Sequence, residues 1–201
     1  MANATYAGKS TIGVKNVVLA QIITDTTAEL EYDDDLLEVQ GAINITANNS
    51  NSDPDVQYAD DIEWDSAYPD PEVEITIEWA NLPAAAQAAI MGSAEDSKGV
   101  VFKAATDTPP YFAIGFEAVK SGTAGRKVWF YKCRPSRMDE SFATKQGTTI
   151  NRQTNTVKFT AVKRTYDGKY CAVCDSDTGA DVYDDFLDEP YTTPVSTGGG
   201  T

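Results

Sequence analysis

The hydrophobic positions of this chain recur mostly every second residue, the spacing that puts one face of a β-strand on a core and the other on solvent. The clearest case runs from Glu72 to Trp79, where Val73, Ile75, Ile77 and Trp79 alternate with Glu72, Glu74, Thr76 and Glu78. Val14 to Ile23 reads as an early buried strand. Leu37, Val39, Gly41, Ile43 and Ile45 outline a second, after an acidic loop over Glu29–Asp35. The Asn/Ser-rich run 48–54 is loop chemistry, and Gln57–Trp64 reads as extended and acidic. Further strands are expected over 99–103, 111–120 and 126–133, with 121–125 as a turn. Residues 153–166 and 169–174 read as a closing hairpin about an Asp167-Gly168 turn.

One segment breaks the alternation. Asn81-Leu-Pro-Ala-Ala-Ala-Gln-Ala-Ala-Ile-Met-Gly92 predicts a short helix over about 82–91, with Pro83 at a first helical position and Gly92 as its stop. Leu82, Ala86, Ala89 and Ile90 are expected to share its inward stripe. The fold class is therefore mainly β, a sandwich or barrel with one short flanking helix rather than βαβ units. A single domain over 1–174, with an N-terminal arm over about 1–12, accounts for this pattern. Residues 175–201, acidic and then rich in Thr, Pro and Gly, read as a flexible C-terminal tail.

Charge changes the picture more than composition does. The net charge of −15 over 201 residues is strongly segregated. Residues 1–80 carry 17 acidic side chains against Lys9 and Lys15. Residues 81–170 hold 14 basic and 7 acidic side chains, and residues 171–201 hold 7 acidic and no basic ones. Such a distribution can steer head-to-tail association between copies, or simply pair neighbouring strands within one. An acidic chain is a poor primary nucleic-acid binder, because affinity for phosphate comes from Lys and Arg.

The candidate chemistries are few. With no histidine in the chain, Ser-His-Asp, Cys-His and His acid–base catalysis are excluded. Cys133, Cys171 and Cys174 are an odd set, and the Cys171-Ala-Val-Cys174 pair lies in a strand that would point its thiols to opposite faces. Buried thiols are expected, not a zinc or redox site. Asp175–Asp181 resembles a calcium loop in the wrong register, with Phe186 where the bidentate Glu belongs. Glu72, Glu74 and Glu78, about 6.6 Å apart for neighbours on one face, do not flank a substrate as a glycosidase pair must. No Gly-rich phosphate loop precedes a helix. The basic, aromatic run Arg126–Arg137 reads as a strand with a core face and a solvated face rather than a nucleic-acid platform. No cofactor, metal or membrane association is expected. The N-terminus lacks a signal-peptide pattern, which places folding in a cytoplasm.

The order of the segments is itself a signal. Gly13-Val-Lys-Asn-Val-Val18, Gly41-Ala-Ile-Asn-Ile45, Tyr58-Ala-Asp-Asp61, Glu74-Ile-Thr-Ile-Glu-Trp-Ala-Asn-Leu-Pro83 and Gly92 come in succession. Pro109–Phe116, Arg126–Lys132 and Thr156–Val162 follow. Over about residues 10–175 this series resembles the major tail protein (tail tube protein) family of non-contractile, long-tailed phages and prophages of Gram-positive bacteria. The resemblance implies a β-sandwich-like tail tube fold and a non-enzymatic virion protein, assembled in the host cytoplasm. Six copies would form a ring, their strands joining into a continuous inner barrel, and rings would stack into a hollow tube. Its implied partners are other copies of itself, the tape measure protein, the tail terminator and tail-tip proteins, and DNA in transit without specific binding. Two expectations join this to the charge pattern. Glu72, Glu74 and Glu78 are candidates for an acidic lumen face, which would let DNA slide. Asp33, Asp34 and Asp35 are candidates for a contact with basic residues of the next ring. The alternatives are another virion part, such as a tail terminator or head decoration protein. From a different class, a carbohydrate-binding or carboxylate-dependent hydrolytic β-sandwich remains open.

Overall fold

The computed structural model describes residues 8–50, 53–122, 124–140, 142–144, 152–178 and 181–192. In chain order its strands are β1 (Thr11–Asp25), β2 (Leu30–Tyr32), β3 (Leu37–Val39), β4 (Ala42–Asn49), β5 (Asp55–Ala59), β6 (Ile62–Ala67) and β7 (Val73–Trp79). The helix α1 (Ala84–Met91) follows, then β8 (Ala94–Glu95), β9 (Val101–Phe102), β10 (Phe112–Lys120), β11 (Gly125–Pro135), β12 (Asn155–Val162) and β13 (Cys171–Asp175). The expected mainly β fold with one short helix is what forms.

The main sheet runs β2-β1-β10-β11-β12-β7-β4, all antiparallel along the path. It also closes on itself. β3 and β4 are one extended run broken at Gly41 (φ 86°); β3 pairs with β1 while β4 pairs with β7. A left-handed backbone at Gly41 is what glycine accommodates most cheaply. Asn16 (φ 54°) makes the matching kink in β1, where the β1–β10 register shifts. Beyond the Val17–Val39 pair the two strands therefore part.

Alternation along the closed sheet sends one set of side chains inward. Val17, Leu19, Val39, Val73, Ile75, Ile77, Trp79, Phe112, Ile114, Phe130, Val157 and Phe159 form the inner core, joined by Leu82 and Ile90 from the helical segment. α1 runs from Pro83 as its N-cap to Gly92 as its left-handed C-cap (φ 67°), so the expected stop residue holds. Its stripe is rotated from the expected one: Ala88 is buried with Ile90, and Ala89 is exposed. Ile90 joins the inner core, and the helix's neighbours are β8 and β9. None of the helices among the described residues is long and apolar enough to cross a membrane.

Four other expectations change. The acidic loop Glu29–Asp35 contains β2, bonded to β1. The expected strand 37–45 is the two-part β3–β4 run. Gln57–Trp64 belongs to a two-stranded hairpin, β5–β6. The closing hairpin does not form as a paired unit. The Asp167-Gly168 turn is present, with the Gly168 N–H donating to the Arg164 carbonyl, but β12 and β13 pair with successive halves of β11 instead of with each other. β11 is long enough to serve both, and a bulge near Tyr131 lets the sheet divide there.

The largest difference is in the acidic tail. Residues 181–192 do not leave the body; they lie as a strap on the outer face of β1, β10 and β11. Phe186 and Leu187 bury there with Val18, Ala20, Ala113, Trp129, Tyr131 and Cys174 as a second core. The N-terminal residues 1–7 and the glycine-rich end 193–201 lie outside the described residues.

Candidate assembly surfaces

Two outer faces of the barrel differ in what covers them. On the covered face, alternate residues of β11 point outward and each donates to a strap carbonyl. The Lys127 ammonium reaches the carbonyls of Tyr183 (2.6 Å) and Asp184 (2.8 Å) and lies over the Tyr183 ring. The Trp129 indole N–H donates to the Phe186 carbonyl at 2.6 Å, and the Tyr131 hydroxyl to the Tyr191 carbonyl at 2.6 Å. Two glycines make room. A Cβ at Gly115, opposite Trp129 in the sheet, would stand 2.9 Å from the indole ring, and one at Gly125 would collide with the Tyr183 hydroxyl. The expected solvated face of this basic strand is thus a covered one.

The strap is clamped at its start. Lys120, its side chain almost fully buried, pairs with Asp175 (2.7 Å) and Asp177 (3.1 Å), while Arg126 grips Asp175 through two hydrogen bonds. The Arg126 hydrogen bonds, outweighing burial and helped by Lys120, hold the Asp175 carboxyl down at about 2. The two carboxylates that opened the supposed calcium loop are spent on these cations. A second clamp lies at the strap's far end. Arg164, its side chain fully buried, stacks on Tyr131 (3.7 Å), binds Asp167 through two bonds and donates to the Tyr32 hydroxyl. Beside it the Asp25 carboxylate accepts from Lys132 (2.6 Å) and from the N–H groups of Thr165 and Tyr166. Burial works against Asp25 ionising, but those bonds outweigh it and lower its pKa.

The bare face is built from β4, β7, β12 and the end of β11. Cross-strand partners set its outward residues in three rows: Arg134, Thr160, Glu74 and Asn48; Lys158, Thr76 and Thr46; Thr156, Glu78 and Asn44. Nothing among the described residues covers it. Glu74 and Glu78 are here, on one side of β7 as the alternation required but two rows apart with Thr76 between them, and Glu72 lies just before the strand. Yet Lys158 lies 3.8 Å from Glu74, and Arg134 shares its row. The face is balanced in charge and rich in hydroxyl and amide groups rather than acidic. Its outer strand, β4, bonds to β7 on one side and to no strand among the described residues along 43–49 on the other. β1 from Thr11 to Lys15 is likewise paired only with β10, and each free edge carries an exposed isoleucine, Ile12 and Ile43.

Asp33–Asp35 sits elsewhere, in the turn after β2. The Asp33 carboxylate caps the Asp35 N–H, and its own N–H donates to the Gln21 carbonyl; Asp34 and Asp35 are exposed. The structure does not bring this turn together with the Glu74/Glu78 face. Cys133 and Cys174 are buried and Cys171 is half-buried: Cys171 faces the inner core and Cys174 the outer one, the opposite orientation their spacing required. Burial raises the Cys171 thiol to about 11 and pushes Cys133 well above its usual range, so neither is a ready nucleophile. Among the described residues no group of three or more Cys, Asp and Glu side chains is placed to hold a metal ion.

Sequence reasoning missed the hairpin as a surface. β5–β6 turns through Asp60 and Asp61, both at positive φ as a two-residue hairpin turn requires, and pairs with no other strand among the described residues. It exposes Tyr58, Ile62 and Trp64, with Tyr68 just beyond. The signal was the interleaving of these large apolar residues with six acids and no base over 53–67. No protein-family model matches the chain, and no curated protein sequence matches it.

Proposed function

We propose that this chain is a structural subunit that assembles with copies of itself into stacked, sixfold rings forming a hollow tube, the tail tube of a long-tailed phage. The observation that carries the reading is the bare face: a four-stranded polar surface whose outer strand, β4, has no partner along 43–49 among the described residues. A free stretch of strand edge invites another strand, and a heterologous contact that closes gives a ring with no edge left. The strap-covered side then faces outward, and the bare side lines the bore.

The chemistry suits passage rather than capture. Duplex DNA carries one negative charge per about 1.7 Å of axis, so a Lys/Arg-lined bore would hold it. Rows in which Glu74 and Glu78 offset Lys158 and Arg134 offer hydroxyls and amides without net attraction. The tape measure protein, a terminator and tail-tip proteins are the partners such a tube requires, and the virion is its place. Exposed aromatics on β5–β6 are also what a carbohydrate platform uses, but they stand on a free ribbon rather than around a groove.

Negative-stain electron microscopy of the purified protein over a concentration and salt series tests the proposal. Hollow tubes with sixfold ring averages are expected. A discrete oligomer that never grows would move the assignment to a terminator or decoration protein.

A further inference from the structure

β1 and the β3–β4 run bond to each other from the Leu19–Leu37 pair to the Val17–Val39 pair and then fork. Carried on unbroken, that register would set Lys15 opposite Gly41 and Gly13 opposite Ile43, and the subunit would close its own barrel. A cleft of about 470 Å³ lies at the fork instead, lined by Val14 and Asn16 on one side and Gln40 and Ala42 on the other.

The β1 arm of the fork is set by a bulge. Lys15 pairs with Glu117 and Val18 with Gly115, so Asn16 and Val17 together stand opposite Phe116. Asn16 takes the extra place at φ 54°, a left-handed backbone that asparagine tolerates better than most side chains. One extra residue inverts the faces of the strand beyond it. Val17 points into the inner core, and in an unbroken strand Lys15 would share that face. The bulge puts Lys15 on the outer face instead, beside its cross-strand partner Glu117.

One carboxylate holds this bulge. Glu117 is 9% exposed, and one of its oxygens accepts from the Asn16 side-chain amide at 3.0 Å. The other lies 3.2 Å from the Lys15 ammonium and accepts from the Tyr183 hydroxyl of the strap at 3.4 Å. Its neighbour on β11, Lys127, is spent on strap carbonyls. Consecutive residues tied to the two oxygens of one nearly buried carboxylate fix the backbone turn between them, and a charged acceptor makes the stronger bonds.

We infer that Glu117 is the positioning residue of the free edge: through Lys15 and Asn16 it holds the bulge that stops β1 zipping onto β4 of its own subunit. That β4 is the nearest competitor for the edge, because the Val17–Val39 pair tethers it to β1. Reserving the edges at 11–15 and 43–49 for strands of other copies is the part that rests on the tube reading.

The test compares wild type, Lys15→Val and Lys15→Val/Glu117→Ala by hydrogen exchange over 42–49, at a dilution where light scattering shows monomers. Electron microscopy at high concentration follows tube formation in the same three proteins. Lys15→Val removes the charge that zipping would bury but leaves the bond between Asn16 and Glu117. It is expected to exchange like wild type and to form tubes. Adding Glu117→Ala should slow exchange over 42–49 at least tenfold and abolish the tubes. Should that variant fail to melt cooperatively, Lys15→Val/Asn16→Val gives the same reading, because a β-branched residue rejects the left-handed backbone. Wild-type exchange in the folded double variant, or slowed exchange already in Lys15→Val, overturns the assignment. Slowed exchange in a double variant that still forms tubes keeps the latch and overturns the use of these edges between copies. Slowed exchange in a chain whose wild type never forms tubes keeps the latch and overturns the tube reading.

Discussion

The covered and bare faces of this barrel are made by the same alternation, yet they spend their side chains differently. On β11, the outward residues Lys127, Trp129 and Tyr131 each reach a strap carbonyl, and Trp129 is fully buried. On β4, β7 and β12, the outward residues are Thr, Asn, Glu and Lys, none fully buried, with one loose ion pair between two half-exposed side chains. The first face stabilises the monomer; the second contributes little to it. A polar face left uncovered beside a strand edge unpaired among the described residues makes few contacts that the subunit depends on, which leaves it open to a role outside the subunit.

That contrast can be broken most sharply at Trp129. Trp129→Ala removes a buried ring and its bond to Phe186, so about 3–5 kcal/mol of stability should be lost in urea titration. Limited proteolysis should then cut within 181–192, where wild type resists. A steric version is expected to cost less. Gly115→Val presses methyl groups into an indole that the Phe186 carbonyl fixes in place, for about 1–3 kcal/mol. If Gly115→Val unfolds no more easily than wild type, the indole is not held as described.

Acid should loosen the covered face through its clamp. The Asp175 carboxyl is held at about 2 in the fold, below its ordinary 3.8, first by Arg126 and then by Lys120. A depressed folded pKa gives stability that is present above the ordinary value and lost as pH falls through the folded one. The Asp175 clamp should therefore weaken between about pH 4 and pH 2, with Asp25 and Asp167, also lowered, releasing on the same side. Asp175→Asn should flatten this part of the acid unfolding curve. The smallest effects belong to the bare face. Glu74→Gln, Glu78→Gln and Lys158→Gln should each stay within about 0.5 kcal/mol of wild type, as exposed positions do. A large loss at any of them would mean that this face holds the monomer together.

Much of the barrel was legible because period-two alternation is a local signal. β7 showed it without interruption, and its inward and outward residues lie where the pattern put them. The pairing partners were not legible. A turn at Asp167-Gly168 looks the same whether its arms bond to each other or to two halves of a long third strand, and only the bulge near Tyr131 decides. The strap was hidden by composition. Tyr183, Phe186, Leu187 and Tyr191 are spaced among acids that stay in water, so charge counting read disorder where four apolar side chains find a prepared surface. On the bare face the glutamates were legible, but the cations beside them come from β11 and β12, far along the chain. A face's charge is a property of cross-strand neighbours, which no single strand reveals.

Cryo-electron microscopy of assembled tubes tests the lumen assignment most directly. It requires Glu74, Glu78, Thr76 and Lys158 to line the bore and the acidic strap residues Asp184, Asp185, Asp188 and Glu189 to lie on the outside. A tube with the strap in the bore, or with the β4–β7–β12 face turned outward, would contradict it.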